Sequence, residues 1–199
     1  MRYSRWLGLC LMSVALLGSG CAMRAPENVS NACAIFDQRG GFINNWQRQA
    51  KRAEREFGVP MPILLATIYQ ESRFHPRARP PRKKLLGFIP WRRPSNAFGY
   101  AQALNSTWDW YREDTGRGLA RRSKFKDAVH FVGWYHDQTH RRNGIAKTDA
   151  HNLYLAYYSG HGGYARGTWR NNRTIINAAA RVSSMAQTYD AQLRGCGRR

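Results

Sequence analysis

The sequence predicts an all-α fold in a single domain, and three observations carry that expectation. Apolar residues recur at steps of three and four through the body of the chain, the periodicity of one helical face. No stretch alternates apolar and polar residues as a half-buried strand does, and Gly, Pro and Asn punctuate the periodic segments. With 43% hydrophobic and 13% aromatic residues over 199 positions, the chain is too apolar for a disordered tail and long enough to bury one core.

At the N-terminus, Trp6 to Leu17 is apolar, follows Arg2 and Arg5, and precedes the small residues Gly18, Ser19 and Gly20. Crossing a bilayer takes about 20 apolar residues, so this shorter run reads as the core of a secretion signal covering residues 1–20. The junction Leu17-Gly-Ser-Gly-Cys21 resembles a bacterial lipobox, which implies cleavage before Cys21 and a lipid on its thiol. Ala22 after that cysteine favours the outer membrane, with the domain facing the periplasm. The alternative is an ordinary cleaved signal and a soluble periplasmic product. Residues 21–35 then form the lipidated cysteine and a tether, and 36–199 the folded domain.

Phe42, Trp46, Ala50, Ala53 and Phe57 predict an amphipathic helix that Gly58 stops. Pro60 and Pro62 open a second, in which Leu64, Ile68 and Glu71 share a face. Residues 77–95, RARPPRKKLLGFIPWRRPS, read as a Pro- and Arg-rich loop without period. Ser106 or Asn105 caps an exposed, Trp-rich helix through Trp108, Trp110 and Tyr111. Ser123 caps another that carries Phe125, Val129, Val132 and His136 and ends at Asn143-Gly144. Thr148 begins a short helix to about Tyr158, which Gly160, Gly162 and Gly163 break. A last helix over about 171–193 repeats Ile175, Ala179, Val182, Ala186, Tyr189 and Leu193 as a buried seam.

Once a signal and a lipidated Cys21 are set aside, Cys33 and Cys196 remain at opposite ends of the domain. An even pair in an oxidising compartment suggests one disulfide closing nearly the whole chain; the alternative is two inert buried thiols. The net charge is +20, or +18 without Arg2 and Arg5. Such a charge draws the chain to an anionic, carboxylate-bearing polymer or to anionic lipid near the anchor. Trp91, Arg92 and Arg93 beside Lys83 and Lys84 would also suit nucleic acid, which a secreted chain seldom meets, so no nucleic-acid partner is expected.

Glu71 is the unusual residue. A carboxylate in line with Leu64 and Ile68 at the C-terminal end of an apolar helix is poorly solvated and faces the negative end of the helix dipole. Both effects raise its pKa, which suits a general acid at a glycosidic oxygen. The alternative is an ion pair with one of the many arginines, such as Arg73. His136 and His140 have the i, i+4 spacing of a zinc helix, but no third ligand is evident and arginines follow at once, so no metal or cofactor is expected.

Three segments carry a family resemblance. Glu71-Ser-Arg-Phe-His-Pro-Arg-Ala78 resembles the E-S-x-F-x-P-x-A signature of the lytic transglycosylase (SLT) domain, a relative of goose-type lysozyme. Gly99-Tyr-Ala-Gln102 with Thr107-Trp108 is similar to that family's G-L-M-Q…T-W segment, and Ala156-Tyr-Tyr-Ser-Gly160 to its A-Y-N-x-G. In this order they span roughly residues 55–193.

The resemblance implies a lysozyme-like helical domain that cleaves the β-1,4 bond between N-acetylmuramic acid and N-acetylglucosamine in peptidoglycan, leaving a 1,6-anhydro end. It implies Glu71 as the single catalytic acid and base, Ser72, Gln102 and Tyr158 as sugar contacts, and Tyr157 beside Glu71, orienting it. Outside the motifs, the favoured readings are Gln102 as a cap and Tyr157 as core. Asp109, Glu113 and Asp114 read as solvated charge. The sequence departs from the family at Tyr100-Ala101, at Tyr158 and in the lengthened loop 79–95. Two other functions remain open: a catalytically weak binding protein that docks envelope or secretion machinery through the basic loop, and a hydrolytic muramidase.

Overall fold

The computed structural model describes residues 24–196 apart from 43, 83, 86, 88 and 91; the signal and Cys21 lie outside the described residues. Eight helices are present there: α1 Ala32–Gln38, α2 Trp46–Phe57, α3 Met61–Ser72, α4 Asn105–Asp114, α5 Phe125–Asn143, α6 Ala150–Ser159, α7 His161–Ala165 and α8 Arg173–Gly195. None of them is long and apolar enough to cross a membrane. Between α3 and α4 the basic loop contains a minimal antiparallel ladder, β1 Lys84–Leu85 with β2 Ile89–Pro90, where the sequence suggested no regular element.

Helix α3 is the axis of the domain. Ile63 through Ile68 are all buried, so this helix is apolar on every side and is surrounded by others. It packs against α8, α2 and α5, while α6 leans on α8 and α5. Pro60 and Pro62 start it as expected, and the Glu54 carboxylate of α2 accepts from Met61 N at 2.7 Å across the corner. The disulfide joins Cys33 to Cys196 with their Cα atoms 5.6 Å apart. It ties α1 to the end of α8, and the Gln192 side chain reinforces the junction by accepting from Ala32 N at 2.9 Å.

Several expected boundaries move, each because tertiary groups replace local ones. Phe42 is 89% exposed and precedes α2, which Asn45 caps by accepting from Arg48 N. Neither Ser106 nor the Asn105 side chain caps α4; Asn96 from the loop accepts from Asn105 N at 3.0 Å, and Asn105 Oδ1 accepts from the Arg122 guanidinium. Helix α4 is not an exposed Trp-rich helix, because Trp108 and Tyr111 enter the core. Asp114 accepts from Trp134 Nε1 at 2.7 Å, whereas Asp109 is exposed and pairs with Arg112. Ser123 does not cap α5, and Asp149 rather than Thr148 caps α6. Gly160 ends α6, but Gly162 and Gly163 continue at once as α7.

Candidate active site

Glu71 is the penultimate residue of α3 and lines a cleft of about 500 Å³ whose walls come from the basic loop, α4, α5 and the end of α6. The residue touches the cleft while its carboxyl is enclosed by surrounding side chains, and burial pushes that carboxyl up to about 7. The Tyr154 hydroxyl opposes this shift by donating to Glu71 Oε1 at 2.8 Å. No other carboxylate lines the cleft among the described residues, and Glu71 makes no ion pair with Arg73.

The three motifs are stitched to one another by hydrogen bonds. The Ala78 carbonyl, at the end of the first, accepts from Gly99 N at 2.9 Å and from Gln102 Nε2 at 2.9 Å. The Ala101 carbonyl of the second accepts from the Tyr157 hydroxyl at 2.6 Å. Tyr154, one turn before Tyr157 on α6, closes the circuit on Glu71.

Gly99 shows why the second motif opens as it does. Its φ is +78°, and a Cβ there would stand 2.2 Å from the Arg122 carbonyl oxygen. Gly99→Ala is expected to destabilise the fold by about 3 kcal/mol, from strain plus the displaced strand of contacts around Gln102; thermal denaturation measures it.

The described non-glycine residues with left-handed backbone are Arg73, Phe74 and Gln102, and all three border the site. Arg73 ends α3, and Phe74 turns into the core against Trp46, with ring centroids 5.8 Å apart. Burial of Phe74 offsets the roughly 1–3 kcal/mol of strain expected at such positions and anchors the end of α3.

The resemblance-based assignments divide accordingly. Gln102 spends both amide protons on the Ala78 and Gly99 carbonyls, so its Oε1 is left as an acceptor at the cleft. Tyr158 stands at the cleft rim, half exposed. Ser72 is buried, donates to the Ile68 carbonyl at 3.2 Å, closing the last turn of α3, and does not line the cleft. Tyr157 lines the cleft beside Glu71, but its hydroxyl is committed to Ala101; the orienting bond comes from Tyr154, which the motif reading missed. The only signal for Tyr154 is its place one turn before Tyr157 on a helix that carries three tyrosines.

His136 and His140 take separate partners. His136 is buried, pushed to about 3 by burial and by His161, and its Nε2 meets Thr67 Oγ1 at 3.1 Å; because that hydroxyl donates to Ile63 O, the imidazole donates to it. His140 is exposed and meets the Ile145 carbonyl at 2.8 Å. No group of three or more metal-ligating side chains occurs among the described residues.

An all-α domain with one enclosed carboxyl at a helix end, lining an aromatic cleft, is the arrangement of a lysozyme-like protein. The sequence profile of the transglycosylase SLT domain matches residues 9–196, and the chain belongs to that family of lytic-transglycosylase-like proteins that act on peptidoglycan. Comparison with curated proteins and with solved structures yields no match.

Proposed function

We propose that the protein is a lytic transglycosylase that cleaves the MurNAc-β-1,4-GlcNAc bond with Glu71 as the only catalytic residue. The observation that carries this reading is a single enclosed carboxyl, protonated near neutral pH, as the one described carboxylate of the cleft. Glu71 gives its proton to the glycosidic oxygen as the bond to C1 breaks. The substrate N-acetyl group stabilises the positive charge at C1, so no enzyme nucleophile is needed. The Glu71 carboxylate then removes the proton of the C6 hydroxyl as its oxygen bonds to C1. The proton lost in the first step is regained in the second, and no water is consumed. A hydrolase normally uses a second carboxylate at a set separation.

Tyr154 acts on the timing of this cycle. Its hydrogen bond favours the carboxylate, so Tyr154→Phe is expected to raise the Glu71 pKa and carry the alkaline limb of the pH–activity profile upward by about one pH unit. A profile identical to the parent's would dismiss Tyr154 as an orienting and tuning group.

An envelope location, with a lipid on Cys21 and the domain in an oxidising compartment, is part of the same proposal; the Cys33–Cys196 bond supports it. The basic loop and the net positive charge then concentrate the domain on the anionic wall. Digestion of purified peptidoglycan, with released muropeptides read by mass, tests the reaction. Anhydro-muramyl products, lighter by one water than reducing-end products, are expected; reducing ends would mean a muramidase, and no products from a protein that still binds the polymer would mean a binding module.

A further inference from the structure

The last turn of α3, which carries Glu71, also borders a groove of about 490 Å³ against the middle of α8, lined by Tyr69, Gln70, Arg73, Arg181, Ser184 and Thr188, with Met185 beneath. Four other cavities each include a carboxylate: Glu71, Asp37, Asp109 and Asp127 respectively. This one has two arginines and no acid among its described lining residues. Arg73 is folded over the Tyr69 ring, 5.3 Å from its centroid, and donates to the Tyr69 hydroxyl at 3.2 Å. Arg181, on the opposite wall, donates from Nε to Gln70 Oε1 at 3.4 Å. Neither guanidinium has a carboxylate partner among the described residues, whereas Arg112, Arg117, Arg141 and Arg194 do.

Two cations directed into one groove repel each other until an anion enters, and the planar guanidinium fork fits a carboxylate. Thr188 spends its proton on Ser184 O, so its remaining lone pairs accept an N–H from a bound chain. A half-buried tyrosine and methionine offer an apolar floor. These are the features of a site for a short acidic peptide.

The groove adjoins the catalytic site through Gln70, the residue before Glu71, and through Arg181, whose charge acts on Tyr154. We propose that it binds the carboxylates of the peptide stem on the peptidoglycan strand whose glycan lies at Glu71. The proposal rests on the reading of the cleft as a peptidoglycan-cleaving site.

The test is titration of the protein with a sugar-free acidic stem tetrapeptide, and with the same peptide amidated at its carboxyls, by calorimetry at physiological ionic strength. The acidic peptide is expected to bind, and the amidated one to bind at least roughly tenfold more weakly. Arg73→Gln with Arg181→Gln should show the same loss, while Arg48→Gln with Arg52→Gln, on the exposed face of α2, should not. Arg181→Gln alone, on the outside of α8, carries the test if the double substitution impairs folding. Absence of binding to the parent, undiminished binding by the groove variant, or an equal loss in the α2 control overturns the assignment. Anhydro-product formation without peptide binding overturns the groove alone; peptide binding without glycan cleavage supports the groove and overturns the catalytic reading alone.

Discussion

Glu71→Gln is expected to lower the rate of glycan cleavage by at least about a thousandfold while leaving the helical fold unchanged. The amide has the shape of the protonated acid and still accepts from Tyr154, but it has no proton to give to the glycosidic oxygen. Retained turnover would remove Glu71 from the mechanism.

The same substitution has a second expected effect, on stability. In the folded chain the Glu71 carboxyl titrates near 7 against an ordinary value of 4.5, so between those values the folded protein holds a proton that the unfolded chain has released. The stability this site contributes is therefore present below about pH 4.5 and is lost as the pH rises through 7. Gln carries no such dependence. The variant should be more stable than the parent by about 1–3 kcal/mol at pH 8, after allowance for the residue's contact with the cleft, and no more stable at pH 4. Melting temperatures at the two pH values measure the difference, and an equal midpoint at pH 8 would mean that the carboxyl is not held out of water.

Loss of the disulfide is the second large effect. Cys33→Ser with Cys196→Ser opens a link across 163 residues of sequence, for which chain-entropy arguments give about 4–5 kcal/mol. For a domain of this size that corresponds to a fall in Tm of roughly 10–15 °C. The fall should appear under oxidising conditions only, because a reductant brings the parent down to the same midpoint. An unchanged midpoint would mean that the hydrogen bonds of Gln192 and Tyr189 with the segment around α1, and the packing of Ile35 and Phe36 in the core, fasten that end without the disulfide.

Much of this architecture is legible in the sequence, where the decisive forces are local. Prolines at 60 and 62 and the glycine at 58 delimit α2 and α3, since their backbone preferences act without help from distant residues. Glu71 stands out because helical periodicity alone aligns it with Leu64 and Ile68. The fold encloses that carboxyl at the cleft.

The errors share a cause. Asn96 takes over the cap of α4 from a loop nine residues away, and no local rule anticipates a donor's partner arriving through space. Tyr154 and Tyr157 differ in sequence only by one helical turn. Which hydroxyl meets Glu71 depends on the rotation of α6 against α3 and on the Ala101 carbonyl that claims Tyr157. Ser72 follows Glu71, and a helix turns adjacent side chains about 100° apart, so one faces the cleft while the other closes its own turn.

The sequence by itself determined the helical class, the order of the three motifs, a cysteine near each end of the domain and a carboxylate in line with an apolar helical face. These follow from composition and from periodicities that act over a few residues. Only the tertiary structure decided which tyrosine donates to that carboxylate, that no second acid of the described chain shares its cleft, and that Arg73 and Arg181 converge on one groove. Those facts depend on how far and at what angle helices approach one another, which the packing of the whole core sets.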